Sequence, residues 1–164
     1  MNKPVSFELA KLLKEKDYRV QTEHFYSKYG SIHNLKPSRE YEHLHENSYQ
    51  LEQYFDGIYD WNQFTEDVDL SMRSAYNETA DSSNCLCSAP TIAEVVMWLY
   101  DTHNLWITVD PPNGKRKTTW NYFVWGDIKL HSASSQLMHE NSGYLEPNKA
   151  YEAAIKYTLE NIIK

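Results

Sequence analysis

The chain has 164 residues, which fits one domain of ordinary size built around a single core. Its 23 Asp and Glu residues outnumber 16 Lys and Arg residues, and the formal net charge of -7 disfavours non-specific binding to phosphate backbones. Aromatic residues make up 14% of the chain, a share that fits either an aromatic core or a contact surface.

The first predicted element is an amphipathic helix near the N-terminus. Ser6 is a suitable N-cap, and Leu9, Leu12 and Leu13 follow it on one face. A short extended stretch is predicted next, over residues 19–26. No apolar run resembles a signal peptide or a membrane helix, so we expect a cytoplasmic protein.

A long polar region, residues 27–88, separates this helix from the rest of the chain. It is rich in His and Tyr and has no clear period, so we interpret it as an elaboration of the core of a single domain, residues 1–164. Within it we expect a helix over 38–54, turns in the aromatic run 54–64 and a linker at 77–83.

The strongest pattern of the sequence predicts a helix over residues 90–103. Pro90 lies in its first turn, and apolar residues recur at helical spacing at Ile92, Val95, Val96 and Leu99. His103 and Asn104 suit its C-terminal end, because Asn tolerates the left-handed conformation.

A β-hairpin and a helix are predicted to complete the fold. Strands at 105–109 and 118–125 flank a turn that contains Pro and Asn-Gly, with a further strand proposed at 128–131. A Ser-rich loop and an uncertain stretch follow, before a helix over 147–163. The predicted class is therefore α+β, with a small antiparallel sheet packed against N-terminal, central and C-terminal helices.

Several of these segments resemble small uncharacterised proteins of bacteriophages and prophages of gut bacteria. The resemblance covers roughly residues 5–20 and 88–163 and is carried by Ser88-Ala89-Pro90-Thr91, the helix end Trp98 to Asn104, the strand Trp106 to Val109, and Ala150 to Ile155. It implies a phage or mobile-element origin, and no catalytic residue is carried over with it.

No enzyme motif is present in the sequence: it has no Gly-x-Ser-x-Gly elbow and no phosphate-binding loop. Metal ligands are incomplete. His43 and His45 would share a face only on a strand. Cys85 and Cys87, with His103 as a further candidate ligand, are closer in sequence than zinc-binding cysteines usually are. We therefore expect no enzyme activity, no cofactor and no metal.

Three functional hypotheses remain open. The first is a non-enzymatic phage protein that engages a host or defence protein, with an aromatic contact surface at Tyr54, Phe55, Tyr59 and Trp61. The second is a nucleic-acid accessory protein that uses a basic turn and nearby rings: Lys115, Arg116, Lys117, Trp120 and Tyr122. The third is a virion or self-assembling component that pairs with copies of itself.

Overall fold

The computed structural model describes residues 1–33, 62, 85–111, 119–126 and 136–164. These residues form α-helices and two antiparallel three-stranded sheets, which confirms the predicted α+β class. The chain divides into two compact units, Met1–Leu12 with Thr91–Lys164, and Leu13–Pro90. The single-domain organisation stays a prediction.

The described helices and strands follow one another in this order: α1 (Phe7–Glu15), β1 (Phe25–Ser27), β2 (Ile32–His33), β3 (Cys85–Ser88), α2 (Ile92–His103), β4 (Trp106–Asp110), β5 (Trp120–Gly126), β6 (Gln136–Tyr144) and α3 (Pro147–Asn161). The predicted helix at 38–54, the linker at 77–83 and the strand at 128–131 lie outside the described residues.

Helix α2 ends at His103 as predicted but begins at Ile92, so Pro90 precedes the N-cap Thr91 and does not lie in the first turn. The Thr91 hydroxyl accepts a hydrogen bond from the Glu94 backbone N–H at 3.3 Å, and the Glu94 carboxylate accepts one from the Thr91 N–H at 2.6 Å. Each group satisfies a donor that the first helical turn leaves free. At the other end Asn104 adopts the left-handed conformation, with φ 53°, and stops the helix as predicted.

The first unit is built around the sheet β4-β5-β6, in which β5 is central. Strands β4 and β5 form the predicted antiparallel hairpin, with Ile107 opposite Val124 and Val109 opposite Tyr122. Strand β6 adds to the other side of β5. It occupies Gln136–Tyr144, where the sequence indicated only an uncertain stretch, because this polar edge strand buries too little to show a hydrophobic alternation.

Helix α3 covers one face of this sheet, where the sequence predicts the C-terminal apolar stripe to pack. It contacts β4, β5 and β6. Ala150 and Ala154 allow a close approach to the strands, and Ile155 and Leu159 fill the space between helix and sheet with no exposed surface. The N-terminal segment joins the same unit, because the Ser6 N–H donates to the Glu152 carboxylate at 2.8 Å.

Substitution of Leu159 tests this packing. Leu159→Ala leaves a cavity beneath α3 and is expected to lower the free energy of unfolding by about 2–5 kcal/mol, measured by urea denaturation. Leu145 is 78% exposed, so the matched change Leu145→Ala should have an effect within about 0.5 kcal/mol. Equal effects of the two substitutions would show that α3 does not cover the core.

The second unit contains the sheet β2-β1-β3 and a buried asparagine. Strand β1 was predicted within residues 19–26 but is limited to Phe25–Ser27. Asn62 crosses between chain segments that are distant in sequence: its Nδ2 donates to the Tyr18 carbonyl at 2.7 Å, and its Oδ1 accepts from the Ser88 N–H at 3.0 Å. Both bonds satisfy backbone groups of buried residues.

The Asn62 side chain is therefore expected to stabilise the second unit. Asn62→Ala removes both hydrogen bonds and should lower the free energy of unfolding by about 1–3 kcal/mol. Asn161, whose side chain donates to the Tyr157 carbonyl at the exposed end of α3, offers the control Asn161→Ala. Thermal denaturation of the two variants compares them, and an Asn62→Ala variant as stable as Asn161→Ala would contradict the assignment.

Candidate functional site

The sheet β4-β5-β6 has a second face, opposite the one that α3 covers. Side chains alternate along a strand, and directly paired residues share a face, so the register identifies its members. We call it the outer face and define it by the following residues: Trp106, Thr108 and Asp110 of β4, Asn121, Phe123 and Trp125 of β5, and Leu137, Glu140 and Ser142 of β6.

Aromatic rings occupy the middle of the outer face. The Phe123 and Trp125 rings stack with their centroids 6.1 Å apart and their planes at 30°. Trp125 is fixed by a hydrogen bond, because its Nε1 donates to the Thr108 hydroxyl at 3.0 Å. Trp106 contacts the Tyr100 ring edge-on at 5.6 Å. The three outer-face rings are each half-buried and are held in place by neighbouring side chains.

A polar groove of about 450 Å³ opens beside the Phe123 ring. It is lined by Thr119, Asn121, Phe123, Glu140, Asn141 and Ser142. Phe123 pairs with Glu140 and Asn121 pairs with Ser142 across β5 and β6, which places these four side chains together. Among the described lining residues Glu140 alone is charged, and it forms no ion pair with any described residue.

Asn141 lies at the rim of the groove and forms two hydrogen bonds within β6. Its Oδ1 accepts a hydrogen bond from the Ser142 N–H at 2.7 Å, and its Nδ2 donates to the Tyr144 hydroxyl at 3.3 Å. Both ends of the amide are thus occupied within β6. The Asn121, Ser142 and Thr119 side chains and the Glu140 carboxylate supply the other polar groups of the lining.

The face toward α3 carries a compact aromatic cluster. The His139 and Tyr157 rings are stacked 3.6 Å apart, and Tyr122 lies 5.7 Å from His139 and 5.6 Å from Tyr144. Burial raises the pKa of Tyr122 above the ordinary tyrosine value, and the neighbouring Tyr144 adds to the rise. This cluster joins the sheet to the helix and presents no open surface at Tyr122.

The residues of the predicted binding surfaces fall in different parts of the chain. Tyr54, Phe55, Tyr59 and Trp61 lie outside the described residues, as do Lys115, Arg116 and Lys117. Trp120 is half-buried, and Tyr122 is only 2% exposed, so it offers no ring face on which a nucleic-acid base stacks. The structure brings together a different set, the outer face and its groove.

Glu140 and Ser142 are the groove residues that the sequence does not single out. They belong to β6, which lacks a recognisable strand pattern, and only their pairing with β5 brings them beside Phe123 and Asn121. The sequence signal that exists is the alternation of β5, which predicts large apolar side chains on both of its faces.

The candidate metal ligands do not form a site within the described part of the chain. Cys87 is buried in β3, and His43 and His45 lie outside the described residues. His103 lies in the last turn of α2, where burial lowers its pKa and its Nε2 has no hydrogen-bond partner among the described residues. Among the described residues, no three His, Cys, Asp or Glu side chains come together as metal ligands would.

Comparisons with known proteins add no further assignment. No protein-family model, no curated protein and no solved structure matches the chain. Of the helices in the described segments, none has the length and apolar character needed to cross a membrane.

The raised pKa of Tyr122 predicts a loss of stability in alkali. In the unfolded chain the Tyr122 hydroxyl ionises at pH ~10, whereas in the folded protein it keeps its proton to higher pH. The free energy of unfolding therefore falls as the pH rises from ~10 through the pKa of the folded state. Urea denaturation at pH 8 and pH 11 should show a smaller fall for Tyr122→Phe than for the unchanged protein.

Tyr29 is 77% exposed, so Tyr29→Phe is the control for removing a tyrosine hydroxyl without disturbing the core. A Tyr122→Phe variant with the same loss as Tyr29→Phe would contradict a buried Tyr122 that resists ionisation.

Proposed function

We propose that this protein is a non-enzymatic binding protein that engages a protein partner through the outer face. The observation that carries the proposal is the row of half-buried rings Trp106, Phe123 and Trp125, bordered by the exposed Leu137 of β6. Large aromatic side chains held rigid beside polar groups are typical of the centres of protein interfaces, since they contribute contact area at little entropic cost.

An exposed apolar residue extends the outer face along β6. Leu137 lies opposite Trp125 and is 41% exposed. Met138 next to it is 45% exposed, but its side chain lies beside Gly126, on the face toward α3. Strand β6 is paired on one side with β5 and is an edge of the sheet as far as the described strands go. An edge with apolar side chains and without Lys, Arg or Pro lacks several of the features that keep sheet edges from pairing with other proteins.

The distribution of charge supports a partner with a basic surface. Residues 40–81 contain a single basic residue other than His, Arg73, and a large share of the acidic residues of the chain: Glu40, Glu42, Glu46, Glu52, Asp56, Asp60, Glu66, Asp67, Asp69, Glu78 and Asp81. The predicted contact residues Tyr54 to Trp61 belong to the same segment. Concentrated negative charge steers association with positively charged proteins.

The class of partner that we propose is a host or defence protein of a bacterium that carries the phage or prophage. The support for this class is the resemblance of the helix and strand segments to phage proteins, together with the acidic charge. Inhibition of a defence system is the biological role that follows, because a phage protein that binds such a partner without modifying it acts by occupying its surface.

Substitution of Leu137 tests the proposed surface. The tagged protein is used to capture partners from host cells with and without phage infection, and bound proteins are quantified by mass spectrometry. Leu137→Lys places a charge in the apolar contact and should reduce the captured partner at least about ten-fold. Met97 of α2 is 47% exposed, so Met97→Lys is a matched control that should keep the partner.

Three outcomes would contradict the proposal. Capture that is unaffected by Leu137→Lys would show that the outer face is not the contact surface, and capture lost equally in Met97→Lys would show a non-specific effect of charge. Light scattering that shows assembly of the purified chain through the same face would instead support the self-assembling component.

A further inference from the structure

The groove beside Phe123 has the chemistry of a cation site. The described residues of its lining combine one aromatic ring, one carboxylate and several neutral polar groups, and none of these described residues is Lys, Arg or His. Glu140 opposes anionic ligands such as phosphates, and the polar walls make the site unfavourable for an apolar side chain. A positive group satisfies both the carboxylate and the electron-rich face of the ring.

The geometry favours a flat cation over a compact one. Phe123 is the cross-strand partner of Glu140, so ring and carboxylate lie side by side on one face of the sheet. A guanidinium stacks on a ring while its edge donates to a carboxylate, and its five N–H donors match the oxygens around the groove. An ammonium group presents three donors around one point and has no plane to stack.

The aromatic wall of the groove is organised before any ligand enters. Trp125 stacks against Phe123 and is itself fixed by its hydrogen bond to Thr108. On the opposite rim the Asn141 amide is held by Ser142 and Tyr144, and the Glu140 carboxylate forms no ion pair within the described residues. Groups that are already positioned lose little entropy on binding.

We propose that this groove binds an arginine side chain that the protein partner presents to the outer face. The inference rests on the proposed function and names the residue type that the partner contributes. The guanidinium stacks on Phe123, donates to the Glu140 carboxylate, and donates its remaining N–H groups to the oxygens of Asn121 and Ser142. The acidic character of the chain as a whole favours the same basic partner.

Titration with a short peptide tests the proposal on the intact protein. The probe is acetyl-Gly-Gly-Arg-Gly-Gly-amide, followed by the backbone amide signals of the protein in nuclear magnetic resonance spectra. We expect saturable binding in the millimolar range, with the largest shifts at Asn121, Phe123 and Ser142. The same peptide with citrulline has the same shape without the charge and should bind at least about ten-fold more weakly. A lysine peptide should fall between them.

Two variants locate the interaction. Glu140→Gln keeps the size of the side chain and should weaken arginine-peptide binding at least about ten-fold, whereas Phe123→Leu should weaken it about two- to five-fold. Glu146, an exposed carboxylate before α3, supplies the control, and Glu146→Gln should bind the peptide as the unchanged protein does.

The peptide comparison on the unchanged protein can overturn the proposal without any variant. Equal binding of the arginine and citrulline peptides, or no saturable binding up to about 20 mM, would show that the groove is not an arginine site. If Leu137→Lys still abolishes capture of the partner in that case, the outer face remains the contact surface and only the arginine assignment fails. If the peptide binds while capture is insensitive to Leu137→Lys, the proposed function fails, and only the assignment of the groove as an arginine site remains.

Discussion

The first unit depends on the alternation of side chains along β5. Tyr122 and Val124 point toward α3 and are buried there, whereas Asn121, Phe123 and Trp125 point to the other face of the same strand. A strand with one apolar and one polar face would pack its apolar side chains into the core and expose only polar side chains to solvent. Because β5 places large rings on both sides, the pairing that builds the core also organises a surface with the properties of a contact site.

The two neighbours of β5 contribute differently to this arrangement. Strand β4 joins the core through Ile107 and fixes Trp125 through Thr108. Strand β6 buries little and is held chiefly by its backbone ladder and by the His139–Tyr157 stack. Its side chains are therefore available for other interactions. The core constrains the rings, and the exposed edge strand supplies the polar and charged groups beside them.

Much of the fold follows from local patterns in the sequence. Helix α2 is predicted by its apolar spacing and by Asn104 at its C-terminal end, and α3 by an apolar stripe that contains most of its buried residues. The hairpin follows from the turn chemistry after Val109. These elements combine strong periodicity with clear stop signals, so local physics and the tertiary fold agree.

Other features depend on tertiary contacts that a sequence pattern does not contain. Strand β6 is stabilised by hydrogen bonding to β5, and such pairing leaves no periodic signal when the side chains remain exposed. Asn62 resembles any polar turn residue until its amide is seen to join Tyr18 and Ser88. The groove is missed for the same reason, since Glu140 and Phe123 become neighbours only through register.

The most direct measurement of the central claim is photo-crosslinking inside host cells. A benzophenone amino acid placed at Ser142 lies at the groove, and one placed at Lys156 lies on the exposed side of α3. If the outer face is the recognition surface, position 142 should form a discrete adduct with the partner and position 156 should not. Adducts from position 156 alone, or equally from both positions, would contradict the account.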